Sequence, residues 1–95
     1  MVAYVIADIQ VTDPVKYEGY KQLTPAAAAK YGGRFIARGG HIATLEGDWK
    51  PERVIILEFP SLDQAKAFYA SVEYTAARRA RAGAANMNII VVEGV

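Results

Sequence analysis

The chain has 95 residues, a length for one domain, and a domain this small hides only about 60–65% of the surface its unfolded form exposes. Its formal charge of +1, from 11 Lys+Arg against 10 Asp+Glu, lacks the positive excess from which general nucleic-acid and anionic-membrane binders draw their affinity. With no Cys and one His, disulfides, thiolate chemistry, Cys-ligated zinc, iron–sulfur clusters and a His-rich metal site within one chain are excluded, so neither metal nor cofactor is expected.

The first element is a strand over residues 3–11, rich in β-branched and aromatic side chains. Thr12-Asp13-Pro14 stops it. Asp13 is a good N-cap, and Pro14 suits a first helical position where a missing N–H costs nothing. Tyr17, Tyr20, Leu23, Ala27 and Tyr31 then recur at three- to four-residue spacing and predict one apolar helical stripe. Pro25 lies inside it, so a kink or break is expected near Leu23–Pro25, and Gly32-Gly33 ends the helix.

Residues 34–38 read as a short second strand, interrupted at Gly39-Gly40 and resumed at 41–46. Paired glycines in strand-like sequence suggest a bulge, a bend or a close backbone approach. A loop over 47–51 leads to a third strand at 53–59, closed by Pro60. Ser61-Leu62-Asp63-Gln64 is a capping box. Leu62, Ala65, Phe68, Tyr69 and Val72 form the packing face of the helix behind it. A further short helix covers 74–82, and 88–93 makes the last strand. The order is β-α-β-β-α-(α)-β, an α+β ferredoxin-like pattern with a four-stranded antiparallel sheet and its helices on one face.

Apolar residues make up 53% of the chain, a high share for a small monomer even though 17 of them are Ala. No apolar run approaches the roughly 20 residues of a membrane span. The N-terminus meets Asp8 at once and lacks a basic leader. A soluble, cytoplasmic protein that binds neither membrane nor nucleic acid is the expectation.

A sheet covered on one side should alternate apolar and polar residues, and these strands do not. In the first, Ala3, Val5, Ala7, Ile9 and Val11 suit the helix side, leaving Tyr4, Ile6, Asp8 and Gln10 on the other. The third divides into Ile55, Leu57 and Phe59 against Val54, Ile56 and Glu58. The last has no polar face through Ile89-Ile90-Val91-Val92. A half-apolar second face suits a partly enclosed cavity, and two such sheets packed face to face through a two-fold axis would bury it. An ordinary monomer with exposed Val and Ile is the alternative.

The segments Tyr4-Val5-Ile6-Ala7, Thr12-Asp13-Pro14, Tyr31-Gly32-Gly33-Arg34-Phe35, Arg38-Gly39-Gly40 and Leu45-Glu46-Gly47, with Leu57-Glu58-Phe59-Pro60-Ser61, Glu73-Tyr74, Arg81 and Val92-Glu93-Gly94, together resemble the bacterial domain-of-unknown-function family numbered 1330. Their order and spacing run over nearly the whole chain. The resemblance implies a dimeric α+β barrel, a superfamily that also holds small cofactor-free monooxygenases, dehalogenase-like proteins and muconolactone-isomerase-like proteins. It implies no activity and carries over no catalytic residue.

On the second face, alternation gathers Tyr4, Asp8, Val54, Ile56 and Glu58. Arg34, Ile36 and Arg38 join them, while Phe35 and Ala37 turn toward the helices. An apolar pocket with a few convergent polar groups is the usual form of a small-molecule site. Asp8 or Glu58 is a candidate general base, and the Arg38 fork a candidate carboxylate or enolate clamp. The more ordinary outcome is that Arg38 pairs with Glu58 or Asp8 and only fixes the sheet. His41 is a candidate acid–base group near the cavity mouth, or a solvated strand-end residue. Trp49 can lid the pocket or pack against a partner. Arg81 joins the ligand-binding candidates from the one basic cluster, Arg78, Arg79 and Arg81, whose plain role is to offset a helix C-terminus.

Three functions are therefore open. The first is a homodimeric binder of a small, partly apolar or anionic molecule. The second is a cofactor-independent enzyme, isomerase- or monooxygenase-like, that abstracts a proton with Asp8, Glu58 or His41. The third is a structural or partner-binding dimer with no ligand.

Overall fold

The computed structural model describes all 95 residues. Strand β1 (Ala3–Val11) leads into helix α1 (Pro14–Lys30), then strands β2 (Arg34–Arg38) and β3 (Arg53–Phe59), helices α2 (Leu62–Ala70) and α3 (Val72–Ala80), and strand β4 (Ala85–Glu93). The sheet runs β2-β3-β1-β4, with every neighbouring pair antiparallel. This is the α+β ferredoxin-like arrangement, with the helices on one face and no helix on the other.

The helix side holds the core. Ala3, Val5, Ala7 and Ile9 of β1 and Ile55, Leu57 and Phe59 of β3 are all buried there, beneath Tyr17, Tyr20, Ala65, Phe68, Tyr74 and Ala77 of the helices. Phe59 and Phe68 sit 5.0 Å apart between ring centroids, and Phe68 lies 4.5 Å from Tyr74. Gly33 is required by this packing, because a Cβ there would fall 2.5 Å from the Phe59 ring. Gly32, at φ +80°, supplies the left-handed turn that ends α1.

Asp13 caps α1 as expected, its carboxylate accepting from the Lys16 N–H at 3.1 Å. The helix does not break at Pro25 but runs through it. Proline removes the N–H that would have bonded the Lys21 carbonyl, and the Arg38 guanidinium donates to that oxygen instead, at 3.3 Å. One residue earlier, the Thr24 hydroxyl donates to the Tyr20 carbonyl at 2.8 Å. Thr24 is accordingly buried, and the expected stripe residue Leu23 is exposed.

Ser61 caps α2 by accepting from the Gln64 N–H at 3.1 Å. Ser71 separates α2 from α3. Its hydroxyl donates to the Phe68 carbonyl at 2.6 Å and accepts from the Tyr74 N–H at 3.0 Å. One side chain thus closes one helix and opens the next. Val72, expected on the packing face of α2, begins α3 and is 82% exposed. Strand β4 starts at Ala85, three residues before its expected start, because Asn86 and Met87 find partners in Gln10 and Ile9 of β1.

Residues 41–46 do not resume the second strand. The Gly39 N–H still bonds the Val54 carbonyl at 3.0 Å, and Gly39 then adopts φ +70° and the chain leaves the sheet. β2 pairs only with β3, which begins at Arg53, so no strand lies alongside residues 41–46 to form a ladder. The 14 residues between β2 and β3 form one irregular loop.

Candidate functional site

The uncovered face is built in cross-strand rows, since directly paired residues in an antiparallel sheet point to the same side. One row runs Arg34–Glu58–Tyr4–Val92, the next Ala37–Ile56–Ile6–Ile90, and the third Val54–Asp8–Asn88. The middle row is wholly apolar. Polar groups flank it on both sides, so the face is a greasy band between two hydrogen-bonding margins. Ile90 is 60% exposed, and Val92 is also open to solvent.

At one margin Arg34 donates through Nε and Nη2 to one Glu58 oxygen, at 3.3 and 3.2 Å. At the other, the loop between β2 and β3 folds back over the sheet. There the Trp49 indole Nε1–H donates to the Asp8 carboxylate at 2.9 Å. The loop and the sheet enclose a cleft of about 540 Å³ lined by Ala37, Gly40, His41, Ile42, Trp49 and Val54, among others. Loops longer than about 12–15 residues without secondary structure are uncommon and usually serve binding or disorder. Here the indole pins the loop to β1, and Trp49 itself stays 63% exposed.

The structure therefore brings Asp8, His41 and Trp49 to one end of the face, and Tyr4 and Glu58 to the other. It does not bring Arg38 there. The register of β2 shifts between Phe35 and Ala37, so that Ala37 pairs with Ile56 and Arg38 with Ile55. The extra residue, Ile36, is a β-bulge, and a one-residue insertion turns every following side chain to the opposite face. Ala37 thus lies on the open face and Arg38 on the helix side. The Arg38 guanidinium stacks 4.3 Å from the centre of the Phe35 ring while bonding the Lys21 carbonyl. The expectation that Arg38 pairs with Glu58 or Asp8 is corrected in the same way. Arg34 is the partner of Glu58, and Trp49 that of Asp8.

Arg81 is likewise away from this face. It follows α3 as its C-terminal cap and packs over Tyr20 on the helix side, 5.3 Å from the ring centre. Arg34, which alternation had put on the open face, does lie there, and Asn88 joins it without having been a sequence-based candidate. Arg34 had the same strand parity as Glu58, which was its only local signal. Asn88 could be placed only by the β1–β4 register.

No metal-binding group of three or more His, Cys, Asp or Glu side chains is assembled, and no helix is long and apolar enough to cross a membrane.

Among solved structures, a protein of unknown function from Rhodopseudomonas palustris shares the fold at a TM-score of 0.75. It is 18% identical, over 99% of this chain and 82% of that one. A dimeric protein of unknown function and ferredoxin-like fold from Bacteroides fragilis superimposes at 0.65, with 19% identity over 98% and 96% of the two chains. SnoaB, a cofactor-independent oxygenase from Streptomyces nogalater, does so at 0.63, with 17% identity over 99% and 92%. At these identities the likeness establishes the fold. A comparison with curated protein sequences gives no match. The family model described as "Domain of unknown function (DUF1330)" covers residues 2–95, and the chain belongs to that family.

Proposed function

We propose that the protein works as a homodimer, open sheet face against open sheet face, and binds a small, partly apolar molecule in the cavity between sheet and loop. The observation that carries this reading is the banded face: an uncovered apolar row from Ala37 to Ile90 with the Asp8–Trp49 pair and His41 at its margin. The accessible surface supports it. At 5983 Å² the chain exposes more than the about 5,400 Å² expected of a compact monomer of this mass. Its Cα extents of 32 × 31 × 17 Å describe a slab with one wide side bare. Similar solved structures from Bacteroides fragilis and Thermobifida fusca are described as dimeric.

At the cleft His41 donates or accepts, Ala37, Ile42 and Val54 take the ligand's body, and Asp8, bonded to Trp49 at its edge, accepts a ligand hydroxyl or N–H. Trp49 is the only tryptophan, so its indole N–H gives one isolated resonance at the site. Titration with 2-naphthol, an apolar phenol able to donate to Asp8, is expected to move that resonance saturably. Asp8→Asn and His41→Ala should weaken the effect several-fold. An indole signal that never moves, or variants that bind as well as the wild type, would contradict the reading.

SnoaB, a cofactor-independent oxygenase, shares this fold and favours a second reading in which Asp8, Glu58 or His41 abstracts a proton in the same cavity. It requires that some metabolite in a bacterial extract be consumed by the wild type and spared by a variant at one of these residues. Consumption indifferent to all three would remove it.

A further inference from the structure

A second concavity lies on the opposite side of the sheet. It is a cleft of about 260 Å³ between α2, the end of α3 and β4, walled by Ala65, Tyr69, Met87, Ile89 and Val91, with Arg81 as its one charged side chain. No carboxylate lines it. The Arg81 guanidinium makes no ion pair, and its Nε–H is buried without an acceptor. The nearby Tyr20 and Tyr74 hydroxyls bond each other at 2.7 Å, and neither accepts from it. A buried donor left unpaired costs the desolvation of that group, so a guanidinium carrying its charge to the edge of this cleft favours an anionic partner there.

The main chain that carries this side chain is held in place. The Arg81 N–H bonds the Ala77 carbonyl at 3.2 Å, and its own carbonyl accepts from the Ala84 N–H at 2.8 Å. The Ala84 carbonyl in turn receives the Thr12 and Asp13 N–H groups at 2.8 and 3.0 Å, tying the turn to the end of β1. From the side, the Tyr20 ring supports the guanidinium plane. A second cation stands close by, since the Arg78 guanidinium lies 4.8 Å from the centre of the Tyr69 ring that walls the cleft. Two guanidinium groups thus stand at a cleft whose other side chains, the Tyr69 hydroxyl apart, are apolar.

We propose that this cleft is a binding site for a small organic monocarboxylate with a flat or chain-like apolar body, its carboxylate on Arg81 and its body against Tyr69, Met87 and Ile89. A planar fork suits a carboxylate, and the Tyr69 hydroxyl is the one other side-chain donor among the lining residues. The site is independent of the cavity on the open face, and each can fail without the other.

Nuclear magnetic resonance reads both at once. Benzoate is expected to shift the Arg81 Nε–H and Met87 methyl signals saturably and to leave the Trp49 indole unmoved. Benzamide, of the same shape without the charge, should bind about tenfold more weakly. Arg81→Gln should weaken benzoate by about the same factor and leave benzamide unchanged. Should that variant unfold, Met87→Trp fills the cleft from β4 without touching the guanidinium and is expected to abolish binding of both. Benzoate that does not saturate, that binds no better than benzamide, or that survives Met87→Trp overturns the proposal.

Discussion

The two faces of the sheet are cut from the same strands and do opposite things. Toward the helices, β1 buries Ala3, Val5, Ala7 and Ile9 and β3 buries Ile55, Leu57 and Phe59, with Val11 and Arg53 half-buried at the margin. Away from them, the same strands present Tyr4, Ile6, Asp8, Val54, Ile56 and Glu58, half-buried at most. A face that only had to meet water would alternate cleanly, and a face that only had to join a partner would shed its charges. The open face keeps an apolar row and confines its charges to paired margins, which fits a surface that must exclude water and still address a polar ligand.

The comparison is sharpest at Arg38, which one inserted residue moves from the open face to the helix face. There it completes the backbone of α1 where Pro25 leaves a carbonyl unbonded. The bulge and the helical proline are thus two halves of one structural device, and Arg38 is a stabilising residue.

If the helix face is the core, its largest effect comes from the aromatic stack. Phe68 is 1% exposed, and Phe68→Ala should cost about 3–5 kcal/mol in chemical denaturation, enough to unfold a marginal domain. A cost near zero would mean the stack is not the core. A smaller effect tests the Arg38 device. Arg38→Ala should cost about 1 kcal/mol, and less in a Pro25→Ala background, where the new N–H takes the Lys21 carbonyl. Equal costs in both backgrounds would uncouple the two.

The smallest effect is a pH dependence confined to the helix face. Burial, with Tyr74 adding to it, pushes the Tyr20 hydroxyl well above its ordinary pKa of 10.0. Burial also raises Tyr17, against the opposing Arg53 guanidinium. Folded values above unfolded ones mean that the stabilisation is complete below about pH 10 and is lost as pH climbs past it. Denaturation midpoints should therefore fall on the alkaline side, and Tyr20→Phe should flatten that fall. An unchanged slope would show that Tyr20 ionises as readily folded as unfolded.

Much of this was legible in local pattern. Strands β1 and β3 and their two faces followed from alternation, and the caps at Asp13 and Ser61 from residue type. What was not legible depends on pairing. Nothing in Arg34-Phe35-Ile36-Ala37-Arg38 tells which residue the β3 register will leave over, although Gly39-Gly40 advertised an irregularity nearby. His41–Glu46 has strand-like residues, yet β3 begins too late to offer them a ladder. The Trp49–Asp8 bond spans 41 residues of sequence, so spacing alone could not find it. Pro25 misled because the group that relieves it lies on another element.

The claim that the functional unit is a pair of chains joined through the open face is tested most directly by sedimentation velocity at micromolar concentration. A species of twice 10.3 kDa, reduced to one chain by Ile56→Glu with the fold intact by circular dichroism, is the predicted result. A wild-type chain that sediments only at 10.3 kDa would contradict it.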